Sequence, residues 1–270
     1  MNTFVNTDKS LKRQPFKFFL LIFVLSVPLW LIGGQPLPLP INLPVSAFIF
    51  TCPLIAASIL VYGENKLDGL KQLLKRILDY RKIKPKIWYL PILFLMPAIM
   101  LLSYLAMRLI ERPLPEPQIP FLEIPLFFAL FFIPAVCEEA GWMGYAFEPI
   151  QNKVGASRAG ILIGFVWGMW HFIGWYFQTH NTLTWTAGQF ISTVALRIII
   201  VWLYNNTGKS VFAAVLFHDM MNVSEFLFPN YGSHYDPVIT GVITAIVTVF
   251  VTFLWGPKTL ARFRYARSGV

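Results

Sequence analysis

Apolar runs close to the ~20 residues needed to cross a bilayer recur along almost the whole chain, and no other feature restricts the fold so tightly. Eight are read, at about 16–33, 45–62, 87–109, 121–137, 158–177, 185–205, 210–228 and 238–256. Backbone placed in hydrocarbon must close its own hydrogen bonds, so runs of this length become helices. The expectation is an all-α, polytopic integral membrane bundle of about eight transmembrane helices. Charged residues make up only 13% of the chain, against about 25% in soluble domains.

The basic residues test the count. With the N-terminus inside, 19 of the 22 Lys and Arg fall on cytoplasmic segments, among them eight between Lys66 and Lys86. The outer connections 34–44, 178–184 and 229–237 contain none. This is the positive-inside asymmetry, and dropping one span from the middle destroys it. Both termini are therefore expected in the cytoplasm. The net charge of +9 then reflects topology and attraction to anionic lipid, with no nucleic-acid partner. The first span lacks a small-residue cleavage site and is expected to be retained. Cys52 and Cys137 both fall in spans and read as small packing residues.

One domain is expected over 1–270, with no internal repeat. In "NKLDGLKQLLKRILDYRKIKPK", Leu67, Leu70, Leu74, Ile77 and Leu78 recur at three- and four-residue steps between cations. That pattern describes a cytoplasmic amphipathic helix lying on the inner leaflet as an anchor. The proline-rich outer segments "QPLPLPINLP" and "ERPLPEPQIP" should be stiff and extended.

Ionisable groups at membrane depth are costly and usually face a bundle interior or a wet cavity. Here they are Glu138 and Glu139 at the end of the fourth run, His171, Arg197, and His218, Asp219 and Asn222 in the seventh. Trp167 and His171 are four residues apart, as are His218 and Asn222, so each pair shares a helix face. The two glutamates point about 100° apart, so one is expected to reach the centre while the other supports it. Such a set could hold a metal ion, with Zn2+ on His171, His218 and Glu138, or polarise a water whose proton a carboxylate takes. Blander readings stand beside these. The glutamates could snorkel into headgroups, a histidine could simply pack, and Asp219 could face a loop or a headgroup. His180 and His234 fall in outer loops.

"EEAGWMGYAFEPIQ", "WGMWHF" and "TGKSVFAAVLFHDMMN", in that order, resemble the CAAX-protease and bacteriocin-processing family of intramembrane proteases. The family pattern is EExxxR, then [FW]xxxH, then HxxxN, on three helices. Core motifs span about 121–228, and the ordered trio carries the resemblance. It implies an intramembrane endopeptidase cutting near the cytoplasmic leaflet of a bacterial plasma membrane. It also implies Glu138 as the carboxylate that activates water, Glu139 as its partner, and His171, His218 and Asn222 as groups that polarise the water and stabilise the oxyanion. Trp167 fills the aromatic position. Implied partners are membrane lipids and a membrane-associated peptide or protein substrate: a prenylated CAAX-like protein, an anchored peptide or a bacteriocin-type peptide.

One position departs from the pattern, since the expected arginine is Met143. Three explanations stay open. Arg197 supplies the cation from another helix, the glutamates share one proton, or activity is lost and a non-catalytic immunity or scaffold protein remains. A proton-coupled transporter is the other alternative, although it predicts repeats that the chain lacks.

Overall fold

The computed structural model describes residues 13–33, 45–261 and 263. The proline-rich segment 35–44 and the basic residues Lys9, Lys12, Arg262, Arg264 and Arg267 lie outside the described residues. The helices are α1 (Pro15–Ile32), α2 (Thr51–Ile77), α3 (Tyr89–Leu109), α4 (Ile124–Gly141), α5 (Phe147–Val154), α6 (Ala156–Phe172), α7 (Leu183–Asn206), α8 (Val211–Leu227) and α9 (Pro237–Trp255). No strand occurs among the described residues. Seven helical stretches are long and apolar enough to cross a membrane. At 17 residues α8 is slightly shorter, still within the range that spans, and it packs against α3, α4 and α7 in the eighth expected place.

Polar side chains set several helix starts. Thr182 Oγ1 accepts from the Trp185 amide (3.2 Å), Ser210 Oγ from that of Ala213 (3.2 Å), and Asp236 Oδ1 from that of Val238 (2.9 Å). These caps satisfy amides that a helix N-terminus leaves unpaired.

The axis of the bundle is α7. Its apolar window is 78% buried inside the protein, whereas no other candidate span exceeds 39%. Bilayer lipid is as apolar as leucine, so close packing has to come from small residues. A Cβ on Gly164 of α6 would lie 2.9 Å from the Val194 Cα and 3.1 Å from the Arg197 Cβ. One on Gly188 of α7 would lie 2.7 Å from the Val238 backbone nitrogen of α9. The first contact brings α6 against the turn of α7 that carries Arg197.

Two expectations are corrected. The amphipathic stretch does not simply rest on the leaflet. It continues α2 past a break at Asn65 and Lys66, where the backbone leaves helical geometry. Leu73 and Ile77 are buried, and Arg76 donates to Glu148 (2.8 Å) and to the Tyr204 hydroxyl (2.9 Å), so the helix is docked on the bundle. The glutamate doublet does not close the fourth span either. Helical structure runs on from α4 through a π-helical turn at Trp142–Ala146 into α5 and ends at Val154, leaving the doublet near its middle. The second proline-rich segment does lack helix over 112–120. It is pinned by Asn230, whose Oδ1 accepts from the Gln118 amide (2.7 Å).

Candidate active site

Glu138 and Glu139 lie about four turns into α4 and are 5% and 0% exposed. Protein covers them on all sides, which removes the snorkelling reading. Adjacent on one helix, they face different neighbours. Glu139 Oε2 accepts from Arg197 Nη1 (2.7 Å), and its Oε1 lies 2.8 Å from His218 Nδ1. The carboxylate accepts, so this Nδ1 carries the proton and the Nε2 atom of His218 is left for another partner. Glu138 Oε2 accepts from the Trp167 indole Nε1 (2.7 Å), while its Oε1 makes no hydrogen bond within the described residues. The two carboxylates are thus unequally committed: both oxygens of Glu139 are engaged and only one of Glu138.

Trp167 ties the helices together. Its ring faces the Arg197 guanidinium at 4.2 Å and lies 5.2 Å from the His218 ring and 5.6 Å from that of His171. A guanidinium over an indole face is a favourable cation–π contact that strengthens away from water. His171 directs Nδ1 at the Trp167 carbonyl (3.1 Å), one turn back. A carbonyl only accepts, so the Nδ1 proton points there and Nε2 keeps its lone pair. The ring stacks on Trp175 at 5.1 Å.

A π-helical turn follows each of the first two motifs within two residues, at Trp142–Ala146 after the doublet and at Ile173–Gln178 after His171. Such widened turns concentrate at functional positions. The first is held from outside, because Arg13 Nη1 donates to the Gly144 carbonyl (2.6 Å). It also puts Met143 into the apolar core, fully buried. The cation beside the doublet instead comes from α7, which is the first of the three explanations for the missing arginine.

Asn222 is half-buried on the same face of α8 as His218 and makes no side-chain hydrogen bond within the described residues. Asp219 does not face a loop or a headgroup. It is fully buried, and neither carboxylate oxygen has a partner among the described residues. Cys52 and Cys137 are buried free thiols. Among the described residues no three His, Cys, Asp or Glu side chains form a set able to hold a metal ion. His171, His218 and Glu138 each border the Trp167 ring.

Sequence reasoning passed over Glu225. It stands seven residues beyond His218, on the face of His218 and Asn222, and sits against Gln189 and Tyr235. Tyr235 in turn donates to Gln189 Oε1 (2.7 Å). The i, i+4, i+7 spacing from His218 was the signal available.

Residues 120–224, which include Glu138, Glu139, His171, Arg197, His218 and Asn222, match the family model described as Rce1-like, type II CAAX prenyl endopeptidase. The chain is also 29% identical over 242 residues to CAAX prenyl protease 2 of Methanococcus maripaludis, an alignment covering 81% of this chain and 86% of that protein. By these two matches and its apolar helices the chain is similar to the Rce1-like CAAX prenyl endopeptidases.

Proposed function

We propose that the chain hydrolyses a peptide bond of a membrane-anchored substrate with a water activated by Glu138. The observation that carries the reading is the unequal commitment of the two glutamates. Glu139, held between Arg197 and His218, orients the imidazole and offsets the guanidinium charge. Glu138, steadied through one oxygen by the Trp167 indole, keeps the other to take the proton of the attacking water. His218 Nε2 and His171 Nε2 are imidazole atoms with no partner among the described residues. Together with the uncommitted Asn222 amide they would polarise the water and the scissile carbonyl and stabilise the oxyanion. The proton held by Glu138 then passes to the leaving amine.

The donor set does not close around a metal in this arrangement, so no step is routed through Zn2+. Metal content tests that choice. Cleavage that survives chelation supports the carboxylate reading. Zinc at about one per chain, lost together with activity on chelation and absent from His171→Ala, replaces it with metal-activated water.

For substrate, the name of the Methanococcus maripaludis relative favours a prenylated CAAX-like C-terminus over an unmodified anchored peptide or a bacteriocin-type peptide. The asymmetry of charge supports an orientation with both termini cytoplasmic. The test is cleavage by purified protein of prenylated and unprenylated versions of one peptide, with Glu138→Ala and His218→Ala beside the wild type. Cleavage left unchanged by both substitutions would remove these residues from the reaction. No cleavage by a folded wild type, with retained substrate binding, would favour the scaffold reading.

A further inference from the structure

A second cavity lies well away from the glutamates, at the end of the bundle where α6 begins and α7 and α9 finish. It holds about 760 Å³ and is lined by residues of three stretches of chain, 151–158, 205–209 and 257–261. Lys153 comes from the end of α5, Arg158 from the start of α6, Lys209 from the turn between α7 and α8, and Lys258 from the segment after α9. No Asp or Glu among the described residues lines it. Lys209 shares its charge with Glu148 (3.2 Å), whereas Lys153, Arg158 and Lys258 make no ion pair among the described residues.

The positive-inside rule alone predicts cations scattered through cytoplasmic segments, as on the docked amphipathic helix, where Lys71 pairs with Asp68. Here they converge on one cleft, and the cleft is fixed in place. The Lys258 and Pro257 carbonyls accept from the Ala156 and Ser157 amides at 2.9 and 3.0 Å, which ties the segment after α9 across the start of α6. Asn205 Nδ2 donates to both Gln151 Oε1 (2.7 Å) and the Thr259 carbonyl (2.8 Å) and closes the floor. Ser157 adds a buried hydroxyl, 7% exposed, with no partner among the described residues.

The depth also points to a class of ligand. Trp255 ends α9 one residue before this segment, and its ring meets Trp202 at 5.0 Å and, less closely, Trp88 at 6.4 Å. Tryptophans gather where hydrocarbon meets headgroups, so the cavity sits at the level of phosphates. We propose that it binds a phosphate-bearing ligand, with three unpaired cations and the Ser157 hydroxyl as its donors. Arg158 supplies the planar fork suited to phosphate oxygens.

Two sources offer that chemistry, an anionic phospholipid headgroup and a soluble phosphate. Native mass spectrometry of the full chain in detergent separates them. Retention of phosphatidylglycerol over phosphatidylcholine, undisturbed by millimolar inorganic phosphate, assigns the cavity to lipid. Phosphatidylglycerol displaced by inorganic phosphate assigns it to the soluble ion. In both cases Arg158→Gln and Lys258→Gln should each weaken binding about fivefold. Lys71→Gln, the same charge change elsewhere on the basic face, should leave it unchanged. Equal retention of the two lipids with no phosphate binding would overturn the proposal, as would an equal loss in Lys71→Gln. None of these residues lies near Glu138, so peptide cleavage gives an independent check that each variant is folded.

Discussion

Two glutamates of this chain are each bridged by two basic groups, in very different surroundings. Glu139 sits between Arg197 and His218, with no exposure on either side of the Arg197 pair. Glu148 sits between Arg76 and Lys209 near one end of the bundle, with side chains 19% and 25% exposed in the Arg76 pair and Lys209 54% exposed. The contacts are nearly identical in length, 2.7 and 2.8 Å for the two arginines. What differs is the alternative each partner faces. When the exposed pair breaks, water takes over its charges. When the buried pair breaks, a charge is left in a low-dielectric interior, so the three groups behave as one unit. The exposed cluster docks a helix, and the buried one joins α4, α7 and α8.

Substitutions can break that contrast. Arg197→Ala should have the largest effect, a loss of about 3–5 kcal/mol, because Glu139 is left buried and under-compensated. Thermal unfolding in detergent reads it, and wild-type stability would mean that the Glu139 cluster is not the buried unit described. Arg76→Ala should cost about 1–2 kcal/mol, since water replaces part of the lost bonds. Proteolysis between Lys66 and Lys86 should rise as the helix undocks. Trp167→Phe keeps a ring over the guanidinium but removes the indole donor to Glu138. It should cost about 1 kcal/mol and slow cleavage about tenfold, measured as turnover with an unchanged substrate KM. Lys209→Ala is expected to stay within about 0.5 kcal/mol. A Lys209→Ala effect as large as that of Arg197→Ala would erase the distinction between the two regions.

Much of this architecture is written locally. Each apolar run must satisfy its own backbone, so runs translate almost directly into α1, α3, α4 and α6 to α9 with ends shifted by a few residues. The trio of motifs placed Glu138, Glu139, His171 and His218 on three helices that do meet. Local pattern does not carry register through irregular turns. The π turn after the doublet extends α4 into α5 and buries Met143, which no spacing rule for a regular helix anticipates. Nor does local pattern carry long-range pairing. Glu139 and Arg197 are 58 residues apart, and only the arginine missing at Met143 and the need of a buried charge for a counter-ion hinted at their contact. Likewise, the lysines and arginines of the amphipathic stretch read alike in sequence, although Arg76 alone has both Glu148 and Tyr204 within reach.

The division of labour between the adjacent glutamates is best tested by comparing Glu138→Gln with Glu139→Gln in one preparation, measuring peptide cleavage and thermal unfolding together. Glu138→Gln should unfold near the wild-type temperature and lose cleavage by about 10³-fold, as expected for removal of a general base. Glu139→Gln should lose cleavage and stability together, because Arg197 and His218 lose their anion. A Glu138→Gln protein that cleaves at the wild-type rate, or a Glu139→Gln protein that is inactive yet fully stable, would contradict the assignment of chemistry to Glu138 and of support to Glu139.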